Sequence, residues 1–374
     1  MHTTPLRPLI LAALVAAACG PDAAVSRDGG DARALAADTQ AGVATELAVR
    51  PPTVGLDSAL LHAALDSAGR LSRLRSLLIA RDGELHAERY FHGATAESHA
   101  NIKSASKSII SALVGIAIEE GAIAGLDQPV ASFFPSYIPP DADARLRQVT
   151  IGNLLSMQAG LEPTSFGNYG AWVSSRNWVR NALVRPFVDA PGGRMLYSTG
   201  NTHVLSAVLT EVTGMSTLEY ARSRLFAPIG VRLASWMADP QRIHFGGNEM
   251  RLRPRELLAF AELYRNGGRH EGRQIVPAEW IERSWVQRTT SPYNGHGYGL
   301  GWWIRQRRGY DVYFAWGYGG QYAFVVPELR LTVVTTSDPV SPREGGHNRA
   351  LHGLLTDLLI PAAEAGQNGP NRDE

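Results

Sequence analysis

The spacing of apolar and polar positions changes several times along the chain. SLLIARDGELHAERYF (76–91) sets Asp82-Gly83 between two apolar-rich arms. This predicts a β-hairpin, because Asp-Gly accepts the positive φ of the tight turns that match strand twist. SIISALVGIAIEEG (108–121) carries apolar residues through several helical turns and stops at Gly121, as a helix C-terminus does. From about 126 to 285 the pattern is mostly helical, with TIGNLLSMQAGL (150–161), THVLSAVLTEVTG (202–214) and RPRELLAFAELYRNGG (253–268) as its clearest segments. Short strand-like runs follow: YGLGWWI (298–304), VYFAWG (312–317), YAFVVP (322–327) and LTVVTTS (331–337). RALHGLLTDLLI (349–360) predicts a closing helix. Strands at both ends with helices between predict an α+β fold. One antiparallel sheet, built from the N- and C-terminal segments and flanked by helices, is interrupted by a helical insertion. The cleft between sheet and insertion is the natural place for a site.

The two ends lack this periodicity. Residues 9–18, LILAALVAAA, form an apolar run behind Arg7, well short of the roughly 20 residues a spanning helix needs. Small residues lead into Cys19, and AAAC resembles the lipobox of a bacterial lipoprotein signal. The resemblance implies a signal peptide over 1–19 and a diacylglycerol on Cys19. It implies an exported protein, periplasmic or at the cell surface, held to a membrane by that lipid. Residues 20–50, rich in Ala, Asp and Gly, have the composition of a disordered tether, and PAAEAGQNGPNRDE (361–374) that of a disordered tail. The folded body is expected over 51–360.

Composition narrows the function classes. With 44% hydrophobic and 19% charged residues the 374-residue chain reads as globular. A formal net charge of +1 and the lack of any basic block argue against a nucleic-acid partner. The single cysteine excludes an intrachain disulfide and a cysteine metal site. The 11 histidines show no His-Glu-x-x-His spacing, so neither a metal nor a cofactor is expected. No Gly-x-Ser-x-Gly elbow points to an α/β-hydrolase.

Of 36 Lys+Arg, two are lysine, Lys103 and Lys107, which leaves 34 arginines. Both lysines lie in NIKSASKSII (101–110). Arg and Lys differ most where a proton must be removed, because surroundings can neutralise Lys but not Arg. If a helix begins near Ser104, then Ser104 and Lys107 share one face, about one turn apart. A serine hydroxyl needs a base to become a nucleophile, and a buried, neutral Lys107 can serve. Alternatively, Ser104 simply caps the helix and Lys107 is an ordinary first-turn residue. Lys103 has no serine three residues before it and reads as a solvated surface residue or as a support behind the site, the former favoured.

Two later stretches change the balance. GGRMLYSTGNTHVLSAVLTEVTG (192–214) places Tyr197 just before a helix, and WGYGGQY (316–322) lies between two strands. With Ser-x-x-Lys at the start of the first long helix, this order over about 70–340 resembles the serine β-lactamase and penicillin-binding-protein superfamily. The likeness is to its class C-like branch, which includes family VIII esterases, D-aminopeptidases and 6-aminohexanoate-dimer hydrolases. It implies Ser104 as acylated nucleophile, Lys107 as its base and Tyr197 as proton relay. Tyr318-Gly319-Gly320 would stand where the family has Lys-Thr-Gly, and the backbone N–H groups of Ser104 and Gln321 would form the oxyanion hole. A cation near Tyr197 would lower the pKa of its phenol. Tyr169 and Trp172, from FGNYGAW (166–172), and Trp316 are candidates to line the cleft.

The departures weigh on substrate class. Tyr-x-Asn becomes Tyr197-Ser198-Thr199, with Asn201 two residues further on, and Lys-Thr-Gly loses its cation. A β-lactam or a D-Ala-D-Ala terminus presents a carboxylate that a cation there would bind. The expectation is therefore a serine esterase or amidase acting on small acyl substrates. The alternatives are a β-lactamase or D,D-carboxypeptidase, and a non-catalytic binding protein with the same fold.

Overall fold

The computed structural model describes residues 55–340 and 346–367. Cys19, the signal segment and the tether lie outside the described residues. Among the described residues no helix is long and apolar enough to cross a membrane.

After helix α1 (Ser58–Gly69), strands β1 (Leu74–Arg81) and β2 (Glu84–Tyr90) form the expected hairpin. Both turn residues have positive φ, 54° at Asp82 and 85° at Gly83, the backbone that Asp-Gly supplies at least cost. The remaining strands of the sheet come from the other end of the chain. These are β3 (Thr289–Thr290), β4 (Gly297–Tyr298), β5 (Trp303–Arg307), β6 (Tyr310–Gly317), β7 (Gln321–Val326) and β8 (Leu331–Ser337). They make one eight-stranded sheet of order β2-β1-β8-β7-β6-β5-β4-β3, antiparallel throughout.

Helices cover both faces of the sheet centre, which is why β7 and β8 are buried at every position. Alternation sorts their residues between two cores. Leu77, Ile79, Phe314, Phe324 and Val333 pack with α1 and the C-terminal helix. Leu78, Ala80, Ala315, Ala323 and Val334 face the helical insertion. In the same core lies α2 (Ser106–Glu119), which precedes the insertion and is buried continuously from Ser106 to Ala117. Gly121 follows it at φ 73°, where any side chain would strain the backbone.

Three expectations require correction. YGLGWWI is two strands, because Gly301 at φ 80° turns the chain between Tyr298 and Trp303. The turn is fastened to α2, where Ser108 Oγ donates to Gly301 O and Ser111 Oγ to Leu300 O, each at 2.6 Å. TIGNLLSMQAGL is helical only over Ile151–Leu155, since Met157 at φ 63° ends the helix early. The closing helix, which starts at His347, runs on to Gln367. Ala362 and Ala363 are fully buried against the sheet face packed by α1, so the first residues of the expected tail belong to the folded body.

Candidate active site

Ser104 lies in a 3₁₀ turn, Lys103–Ala105, and the α-helix proper begins at Ser106. The nucleophile candidate therefore precedes α2 rather than opening it. Lys103 holds φ 52°, a costly backbone for a non-glycine residue. Asn101 Oδ1 accepts from Lys103 N at 3.1 Å, and Ser106 Oγ donates to Lys103 O at 2.8 Å. These bonds hold the turn in place and leave Ser104 partly exposed.

Lys107, in the first turn of α2, points back toward Ser104 as helical side chains do. Its Nζ lies 3.1 Å from Ser104 Oγ, 3.3 Å from Thr199 Oγ1 and 2.8 Å from Gly247 O. Only 1% of Lys107 is exposed, and burial lowers its pKa to about 7. A lysine with that pKa is substantially neutral near pH 7, the form a general base must have.

Tyr197 stands two residues before α3 (Thr199–Thr213) and hydrogen-bonds to Ser104. Its ring centroid is 5.2 Å from Lys107 Nζ. The expected lowering of its pKa does not occur. Burial pushes it up to about 12, with the Ser104 bond acting in the opposite sense. A lysine that is itself largely neutral supplies little charge to offset that burial, so Tyr197 keeps its proton through the ordinary pH range.

Thr199 fills the motif position where the family resemblance expects asparagine. Besides its contact with Lys107, Thr199 Oγ1 is 3.0 Å from Ser165 Oγ, which accepts from Thr199 N at 2.9 Å. Asn201 is buried further along α3, and its Nδ2 has no hydrogen-bond partner. Thr199, not Asn201, is therefore the α3 residue that reaches Lys107.

The structure shifts the strand motif. β6 ends at Gly317, so Tyr318-Gly319-Gly320 is the hairpin turn and not a strand edge. Gly319 at φ 87° and Gly320 at φ 105° are required by that turn. A Cβ at Gly319 would lie 2.7 Å from Pro339 Cα, and one at Gly320 2.8 Å from His347 Nε2. The turn and its packing against Pro339 and His347 therefore fix both positions as glycine. Gly317 is the residue that meets the nucleophile turn, because a Cβ there would collide with the carbonyl of Ile102. Gln321, whose backbone N–H the resemblance implies as an oxyanion donor, follows this turn on β7. Gln321 is fully buried on β7, flanked by β6 and β8, with its side chain bonded to Ser337 O at 2.7 Å and Ser337 N at 3.1 Å. β6 pairs with β5 only as far as Phe314 and Trp303, so Ala315, Trp316 and Gly317 extend past that neighbour and lead to Tyr318.

Other sequence candidates divide. Trp172 is fully buried, and its Nε1 donates to Trp178 O at 2.9 Å, so it is a core residue. The Tyr169 hydroxyl accepts from Asn248 Nδ2 at 2.9 Å, one residue from the carbonyl that holds Lys107. Trp316 packs at 5.1 Å from Trp303, which stacks at 5.8 Å on Tyr197. Sequence reasoning missed Gly247, Ser165, Phe166 and Tyr293. The Gly246-Gly247 pair in HFGGNEM was the visible signal for the first, but nothing in the sequence ties it to a lysine 140 positions away.

Lys103 also has a defined role. Its Nζ pairs with Glu249 Oε1 at 2.9 Å, and Asn101 Nδ2 donates to Glu249 Oε2 at 2.6 Å. One carboxylate thus ties the nucleophile turn to the segment carrying Gly247.

With this geometry in hand, comparisons with known proteins converge. A family model described as Beta-lactamase matches residues 75–356. The 6-aminohexanoate-dimer hydrolase of Paenarthrobacter ureafaciens is 24% identical over 315 residues, 78% of each chain. The octameric penicillin-binding protein homologue from Pyrococcus abyssi superposes with a TM-score of 0.63 at 19% identity, covering 79% of this chain and 76% of that one. A D-stereospecific amidohydrolase from Streptomyces sp. gives 0.61 at 18% identity, covering 79% and 98%.

Proposed function

The chain belongs to the beta-lactamase family and shares the hydrolase character of its relatives, and on that premise we propose that it is an esterase or amidase working through an acyl-enzyme on Ser104. The observation that carries this reading is the fully buried Lys107, its pKa lowered to about 7, 3.1 Å from Ser104 Oγ.

Lys107 takes the Ser104 hydroxyl proton as the oxygen attacks the substrate carbonyl. Tyr197, protonated and bonded to Ser104, delivers a proton to the departing alcohol or amine and regains one from Lys107. In the second half-reaction a water passes a proton to Lys107 as it attacks the acyl carbonyl, and the Ser104 Oγ–acyl bond then breaks as Lys107 returns a proton to Oγ, which releases the acid. The tetrahedral oxygen is held by the backbone N–H of Ser104 and by that of Tyr318, which follows the end of β6 beside the nucleophile turn. Preorganised donors of this kind are worth about 3 kcal/mol each. The substrate is a small ester or amide whose acyl part lies along the Trp316–Tyr318 edge. No cation stands in the Trp316-Gly317-Tyr318 edge, and this favours neutral acyl groups over a β-lactam carboxylate. We also propose that a lipid on Cys19 holds the enzyme at a membrane after export.

The test is turnover of short p-nitrophenyl esters and anilides by wild type and Ser104→Ala, alongside labelling by a fluorophosphonate and a fluorescent penicillin. Ester cleavage with fluorophosphonate labelling lost in Ser104→Ala supports the reading. Penicillin turnover in place of ester cleavage would favour a β-lactamase. A chain that neither turns over esters nor reacts with the probe would be a non-catalytic binding protein.

A further inference from the structure

Two aromatic residues at the mouth of the site are held out to solvent. Phe166 and Tyr293 are each 63% exposed, yet their ring centroids are 5.2 Å apart, and Phe166 lies 6.2 Å from Tyr197. Phe166 has φ 57°, a strained backbone for a bulky residue. The loop is pinned on both sides of it. Ser165 Oγ accepts from Thr199 N at 2.9 Å, and Asn168 Nδ2 donates to Pro163 O at 2.9 Å. An exposed ring kept in a strained backbone by hydrogen bonds on either side of it is not explained by the protein's own packing. Ring contacts continue inward from Phe166 through Tyr197 to the buried Trp303, 5.8 Å from Tyr197, and on to Trp316.

We propose that Phe166 and Tyr293 form a leaving-group subsite that takes an apolar, ring-bearing alcohol or amine. The assignment rests on the acyl-enzyme reading above, in which Tyr197 hands a proton to the departing atom. The leaving group must then pass the Tyr197 hydroxyl, and Phe166 lies against Tyr197 rather than along the β6 edge that receives the acyl part. Offset or tilted ring contacts at these separations favour a planar guest.

The experiment compares kcat/KM for acetate esters of methanol, cyclohexylmethanol and benzyl alcohol with a converse series of methyl esters of lengthening acyl chain. Wild type is expected to favour benzyl over methyl acetate about 10-fold, the discrimination that about 1.4 kcal/mol of contact provides. Phe166→Ala and Tyr293→Ala should each reduce that ratio several-fold, while Tyr293→Phe retains it. The rate of Ser104 labelling by fluorophosphonate reports that each variant keeps a formed site. A flat alcohol series in a wild type whose Ser104 is labelled would overturn the subsite and leave the acyl-enzyme reading intact. So would a loss seen only in the acyl series. Absence of both labelling and turnover would overturn the reading and the subsite together.

Discussion

Gly247 and Lys107 are locked together. The glycine carbonyl accepts from Lys107 Nζ at 2.8 Å, and a Cβ at Gly247 would lie 2.9 Å from the same nitrogen. Gly247 therefore has no room for a side chain, whose Cβ would also lie 2.3 Å from Thr202 Oγ1. Gly247→Ala should push Lys107 away from Ser104 and reduce kcat/KM by roughly 100-fold, the cost of misplacing a reacting group by about 1 Å. Ester kinetics beside a thermal melt would separate this from unfolding. An active, normally folded variant would show that the close approach does not set the position of the lysine.

Lys107 predicts the acid limb of the pH profile. Because its pKa is lowered to about 7 by burial, the neutral form gains as pH rises, so kcat/KM should climb through about 7 and then level. Tyr197, pushed up to about 12, should add no second limb below pH 10. Lys107→Arg should abolish turnover because Arg stays charged, and should lower the thermal midpoint because a larger charged group replaces a lysine that is only 1% exposed. A profile that falls between pH 6 and 8 would contradict a neutral lysine base.

Lys103→Arg should change kcat/KM little, since Arg can keep the ion pair with Glu249. Glu249→Ala removes the carboxylate shared by Lys103 and Asn101, and should lower kcat several-fold. The cost in stability should be no more than about 1 kcal/mol, because the pair is partly exposed. Equal kinetics for Glu249→Ala and wild type would show that the tie does not position the turn.

His352 predicts acid sensitivity of the fold. It sits among Phe314, Tyr322 and Phe324, and Arg305 Nη1 is 2.7 Å from its Nδ1. Burial first, then His296 and Arg307, hold its pKa down to about 4 against an ordinary 6.5. Below pH 6.5 the unfolded chain takes up this proton and the folded one does not. Stability is thus fully present above 6.5 and is lost as pH falls toward 4, by roughly 3 kcal/mol in total. Urea midpoints measured across this range should shift less in His352→Gln than in wild type.

Lipidation is checked by feeding labelled palmitate to an expressing bacterium. Label and membrane recovery are expected for wild type and not for Cys19→Ser.

Much of the architecture was legible in the sequence because it depends on local chemistry. Asp82-Gly83 chose its own turn, the runs at 312–337 alternated between two cores, and Gly121 and Gly214 marked where helices stop. Ser104 and Lys107 could be paired from spacing alone, since three residues of helix or tight turn place them together wherever the chain lies. Tyr197 could be found only through the order of later motifs. Where a chain turns sharply by means of residues such as Met157 and Gly301, periodicity misled, because a single positive φ interrupts a pattern without altering it.

What only the tertiary structure decided depends on contacts between distant segments. The sequence determined that a lysine able to lose its proton stands beside a serine. Folding decided that this lysine is buried, that Gly247 and Thr199 hold it, that Gly317 rather than Gly319 or Gly320 meets the nucleophile turn, and that Gln321 is closed off between two strands. The groups that hold Lys107 come from 92 and 140 residues away. No local pattern of residues encodes which surface will arrive.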